Sequence, residues 1–150
     1  MSSLIIKLCK AVRDHLDGAN YSIAFTPRRG YDVNVKLPDL EAAKEPDVLV
    51  MPAELDRALD ADAATREGPA DEYQVDVGVR RKLKTKTNEE IDPLVDLMEE
   101  IQRNLLGERA VGYQEAVCVE ARIAPVFSPE HLDNQGIFFS VLHLRFIAIP

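Results

Sequence analysis

The sequence predicts an α+β domain: a mainly antiparallel β-sheet, two amphipathic helices packed on one of its faces, and a long C-terminal β-hairpin. Three observations predict it. Apolar residues recur at spacings of three and four over residues 4–16 and 94–105, as in helices with one buried side. Strict alternation over residues 73–80 marks a half-buried strand. Two long alternating runs, 113–127 and 137–149, close the chain. A length of 150 residues fits a single domain over 1–150. A chain of this size buries enough surface to need neither disulfide nor metal.

The first helix is capped by Ser2 or Ser3 and stopped by Gly18. Ile5, Leu8, Cys9, Val12 and Leu16 form its apolar side. Tyr21, Ile23 and Phe25 then alternate with small or polar residues, and Pro27-Arg28-Arg29-Gly30 reads as a turn. Tyr31, Val33, Val35 and Leu37 alternate again up to Pro38, which completes a hairpin pattern. Asp47–Met51 is short and apolar, as a central buried strand would be, between Pro46 and Pro52.

Residues 53–72 hold seven acids against Arg57 and Arg66, a local charge of −5. They read as a long, mobile acidic loop. The strand Tyr73–Val79 runs from it into Arg80-Arg81-Lys82-Leu83-Lys84-Thr85-Lys86, five cations in seven residues. Asp92-Pro93 fits a cap followed by proline in the first position of a second helix. Leu94, Val95, Met98, Ile101 and Leu105 supply its apolar side, and Gly107 its stop.

Of the closing strands, the first directs Tyr113, Val117, Val119, Ala121, Ile123 and Phe127 one way. The second directs Phe138, Leu142, Leu144, Phe146 and Ala148. The stretch Ser128–Gly136 between them reads as a loop. Strands near a dozen residues exceed the usual ~5–6 and often reach a neighbouring subunit.

Composition narrows the function. Eighteen Lys and Arg against 26 Asp and Glu leave a net charge of −8, which opposes adhesion to nucleic acid or to an anionic membrane. Cys9 and Cys118 are isolated, as free buried thiols of a reducing compartment are. His15, His131 and His143 lack metal-ligand spacing. No secretion leader is read at the start, since Lys7, Lys10 and Arg13 follow the first apolar residues at once. The apolar run 137–149 is too short for a spanning helix.

Candidates for chemistry are few. Asp92, Asp96 and Glu99, with Glu100 beside them, would place carboxylates on a helix surface where a metal-dependent enzyme holds its cation; the plain alternative is a solvated face near a helix N-terminus. The acidic loop lacks a calcium-loop pattern. No nucleophile elbow, phosphate loop, dinucleotide fingerprint or zinc-protease motif occurs. Arg80, Lys82, Lys84 and Lys86 share one parity and read as a cationic row. Such a row suits an edge strand guarded by lysines, a phosphate contact in a small nucleic-acid-binding module, or a salt-bridging surface for an acidic neighbour. The last includes an identical subunit, because residues 88–100 hold six acids and no base.

The whole arrangement resembles the tail terminator (tail completion) proteins of long-tailed bacteriophages. The resemblance lies in ordered features: the helix Leu4–Leu16, the strand Val48–Pro52 followed by a polar loop, the strand Tyr73–Val79 with its basic exit, the helix Pro93–Leu106 and the final strand Phe138–Phe146. Head-completion and head–tail joining neck proteins share the pattern. It implies a structural virion protein with no enzymatic activity and no cofactor, made in the host cytoplasm and carried in the neck or tail. Six copies would form a ring that ends the tail tube and meets the head connector, with DNA passing through unread. Within that picture Arg80, Lys82, Lys84 and Lys86 would meet Asp96 and Glu99 of a neighbour. Glu54, Asp56, Asp60, Asp62 and Glu67 would line or rim the channel. Arg28 and Arg29 would touch DNA or an adjoining ring.

Overall fold

The computed structural model describes residues 4–31, 43–53, 72–106 and 116–148. They form α1 (Leu4–Gly18), β1 (Pro27–Arg29), β2 (Asp47–Pro52), β3 (Glu72–Lys82), α2 (Asn88–Leu105), β4 (Ala116–Ile123), α3 (Pro129–Gln135) and β5 (Ile137–Ala148). The strands make one mixed sheet in the order β1-β2-β3-β5-β4. β1 is parallel to β2, and the other three pairings are antiparallel. With its helices the sheet is an α+β arrangement, as the periodicities predict. None of the described helices is long and apolar enough to cross a membrane.

The period-3.6 pattern decides which helix residues turn inward. α1 buries Leu8, Cys9, Val12 and Leu16. α2 buries Leu94, Leu97, Met98, Ile101 and Leu105. Both sets join one core with Val75, Val77 and Val79 of β3 and Leu142, Leu144 and Phe146 of β5. Each such aliphatic side chain contributes roughly 1.5–3 kcal/mol on burial.

Four expectations need correction. Residues 21–25 form no strand; the Tyr21 and Phe25 rings stack at 5.2 Å and pack on the core instead. The stretch read as a turn holds β1, which pairs Pro27, Arg28 and Arg29 with Val48, Leu49 and Val50. Proline is tolerated there because it is the first residue of an edge strand. Residues 32–42, with the second half of the expected hairpin, lie outside the described residues, as do 54–71 of the acidic loop.

The second correction concerns α2, which starts at Asn88 after Thr87, so Pro93 is interior and not first. The Glu90 carboxylate explains the earlier start. It accepts the backbone N–H groups of Lys84, Thr85 and Lys86 at 2.9–3.1 Å and so fixes the turn that feeds the helix. These donors outweigh the effect of burial and hold Glu90 below its usual carboxylate range.

The third lies in β4, where a bulge between Cys118 and Glu120 shifts the register against β5. Before it Ala116 and Cys118 point inward; after it Ala121 does. Val119, expected inside, is therefore 39% exposed, and Cys118 is buried. Finally, the supposed loop between the closing strands contains α3. Ser128 caps it by accepting the His131 N–H, Pro129 opens it, and Gly136 closes it at φ 62°.

Candidate functional site

The cationic row does not exist as a row. β3 lies between β2 and β5, so it is no edge strand, and Arg80 within it is only 7% exposed. The Arg80 Nη2 group donates to Asp47 Oδ2 at 3.1 Å, and its guanidinium lies 5.9 Å from the centre of the Phe139 ring. Lys82 Nζ donates to the Gln135 carbonyl. Lys84 and Lys86 come after the strand, exposed, in the turn gathered by Glu90. The period-2 argument failed because the strand ends at Lys82.

Arg28 is likewise occupied within the chain. It grips Asp47 through Nε to Oδ1 at 2.7 Å and Nη2 to Oδ2 at 3.0 Å. The register brings this about: Asp47 faces Arg80 across β2–β3, and Arg28 lies alongside on β1. Burial alone would raise the Asp47 pKa, but the two guanidinium groups lower it below the ordinary value. Arg29 alternates with Arg28 and stacks loosely on Tyr31, 6.0 Å from its ring centre; its Nη1 is buried without a hydrogen-bond partner among the described residues.

The helix acids stay outside. Asp92, Asp96 and Glu99 are exposed, as is Glu89, and their spacing of 3, 4 and 3 residues aligns them in one stripe along α2. None of them makes an ion pair among the described residues. The described residues contain no group of three or more His, Cys, Asp or Glu side chains placed to share a metal ion. Glu100, next in sequence, turns aside and accepts the Ser22 backbone N–H at 3.1 Å.

The feature that residue-by-residue reading missed is a polar groove across β3, β5 and β4. It measures about 210 Å³ and is lined by Gln74, Glu120, Arg122, His143, Leu144 and Arg145. Register assembles it: Gln74 and Glu120 flank Arg145, while Asp76 and Arg122 flank His143. These positions alternate with Val75, Val77, Leu142 and Leu144 of the core, so their side chains leave the sheet on the side away from it. Arg145 is shared between Glu120 at 3.0 Å and Glu72 at 3.3 Å. His143 Nδ1 lies 2.8 Å from Asp76 Oδ1 and its Nε2 2.7 Å from the Ala124 carbonyl, which pins the ring. Arg122, exposed at the rim, has no such partner among the described residues. The sequence held the signal only as charged residues on the polar parity of the strands; the pairing of those strands was needed to bring them together.

Nucleophilic chemistry finds no support in the thiols. Cys9 and Cys118 are 0% and 1% exposed, and burial pushes each thiol up to about 11. Tyr21 is also raised, to about 12, by burial and then by the Glu100 charge. What the site offers is ionic recognition: at the rim of a preformed groove the Arg122 guanidinium, and on α2 an acidic stripe, both without an ion pair among the described residues. No family model matches this sequence, and no curated protein sequence matches it.

Proposed function

We propose that the chain is a structural subunit of a tailed-bacteriophage neck, a tail terminator that assembles as a six-membered ring between the tail tube and the head connector. The observation that carries the reading is the order of elements. An N-terminal amphipathic helix, a short buried strand, a strand with a basic exit, a second amphipathic helix and a twelve-residue final strand succeed one another as the resemblance implies. In this reading α1 and α2 pack on one face of the sheet, and the β4–β5 pair serves contact with the next subunit. β4 supports that role because it is an edge, with one side of its backbone unpaired by the described strands. The net charge of −8 suits a conduit that DNA passes without sticking. Arg28 and Arg80 hold Asp47 inside the subunit.

The test is direct. The purified protein, alone and with the tail tube protein, is examined by electron microscopy and light scattering. Rings of six on the end of tubes are the expected result. A protein that stays monomeric at every concentration and ignores tail tubes overturns the reading.

A further inference from the structure

We propose that the groove across β3, β5 and β4 is one half of a subunit contact, and that the acidic stripe of α2 in a second copy of this chain is the other half. Arg122 receives a carboxylate from Asp96 or Glu99 of that copy. The inference rests on the ring reading above and gives it a specific contact.

Three observations lead here. First, the groove's other polar groups already have partners: Arg145 has Glu120 and Glu72, and Asp76 lies in hydrogen-bond contact with the His143 ring. Arg122 is left as a cation beside about 210 Å³ of open space, room for one carboxylate side chain and a few waters. Second, Glu89, Asp92, Asp96 and Glu99 repel one another along one helix stripe, which ends at Arg103, and none of the four makes an ion pair among the described residues. The helix N-terminus favours Glu89 and Asp92, but that help fades beyond the first turn and leaves Asp96 and Glu99 without it. Third, the two halves cannot meet within one chain. α2 packs on the core side of the sheet through Leu94, Leu97, Met98, Ile101 and Leu105, while the groove opens on the other side. Complementary patches on different sides of one subunit pair head to tail, the kind of contact that closes rings.

Charge reversal tests the pairing. Arg122→Glu is one variant, and Asp96→Lys with Glu99→Lys is the second; all three positions are exposed, and circular dichroism checks that both variants fold. Each variant alone should associate at least ten-fold more weakly than the wild type in analytical ultracentrifugation. Mixed one to one they should associate again, because every alternating contact is then complementary and every like-with-like contact is repulsive. If the wild type forms rings and either variant does so equally well, or if the mixture fails to recover, the contact is wrong and the ring reading stands. If the wild type never associates, both fall.

Discussion

Replacing Asp47 by Asn should be among the most damaging polar substitutions in the chain. Asp47 holds Arg28 and Arg80 together, and the three side chains differ in exposure: 13% for Asp47, 9% for Arg80 and 41% for Arg28. Asn keeps the shape but removes the charge. Arg28 can turn to water, so its loss resembles that of a surface pair, about 0–1 kcal/mol. Arg80 cannot; it is left a buried cation beside the Phe139 ring. Breaking one partner out of a buried pair costs about 3–5 kcal/mol. Because Asp47 itself is not wholly buried, the expected loss is roughly 2–4 kcal/mol, or a Tm lowered by roughly 4–16 °C for a domain of this size. Thermal and urea unfolding measure it. Arg28→Ala should cost less than about 1 kcal/mol. Asp47→Asn combined with Arg80→Met should recover a large part of the loss, since no buried charge is then stranded. Acid should mimic the single substitution. The Asp47 pKa is lowered in the folded state, so its contribution is present above the unfolded value of 3.8 and disappears as pH falls through the folded one. Equal losses for Arg28→Ala and Asp47→Asn, or no recovery in the double variant, would refute the reasoning.

Glu90→Ala should lower stability by about 1 kcal/mol, as loss of a helix cap does, and should release the Lys84, Thr85 and Lys86 amides to fast hydrogen exchange. Its lowered pKa means this contribution also vanishes only as pH drops below about 4.5. Gly136→Ala places a side chain at φ 62°, where the left-handed backbone costs about 1–2 kcal/mol; the nearest atom to the new Cβ is the flexible Lys82 Nζ at 3.1 Å, so backbone strain dominates. Asn at 136 should cost less, as equilibrium unfolding of the two variants will show. At pH 8 both thiols should react with a disulfide reagent at least about a hundred-fold more slowly in the native protein than in urea, since the thiolate fraction drops with a pKa near 11 and access is closed. A native rate close to the unfolded one at either cysteine would contradict its burial.

Long, strongly periodic segments were legible in the sequence; features set by one or two residues were not. Val75, Val77 and Val79, like Leu142, Leu144 and Phe146, alternate without interruption, and the structure buries all six. In β4 the same rule held only from the bulge onward, because one extra residue inverts the parity and carries nothing in its own chemistry to announce itself. α3 has seven residues and one large aliphatic, Leu132, too few for a period; its caps, Ser128-Pro129 and Gly136, were the usable sign. The start of α2 was also written locally, since Thr87 and Glu90 stand three apart, although Glu90 turned to the preceding amides and Thr87 makes no side-chain cap. The groove and the Asp47 cluster depend on which strands are neighbours. Strand order is a long-range outcome that no window of sequence contains.

Internal pairing also decides how salt should act on the molecule. Arg28, Arg80 and Arg145 are held by acids of their own subunit, so little of their charge reaches outward. Outward-facing charge without an ion pair among the described residues includes the α2 stripe on the acidic side, and Lys7, Lys10, Lys44, Lys84, Lys86, Arg103 and Arg122 as exposed cations. Within a subunit, salt screens the repulsion along the stripe while reaching the partly buried Asp47 cluster less. Raising ionic strength should therefore lift the Tm of dilute, unassociated protein by roughly 2 °C. Between subunits, the same screening weakens the attraction of stripe and groove, so association should fall with salt. A single ion-strength series read by calorimetry and by sedimentation separates the two, because the slopes have opposite signs. Arg122→Glu should leave the first slope nearly unchanged and reverse the second, since its contact with the stripe has become repulsive. Parallel slopes, with salt strengthening association as well as stability, would mean that subunits meet through apolar surface and that the charges at the stripe and groove serve another purpose.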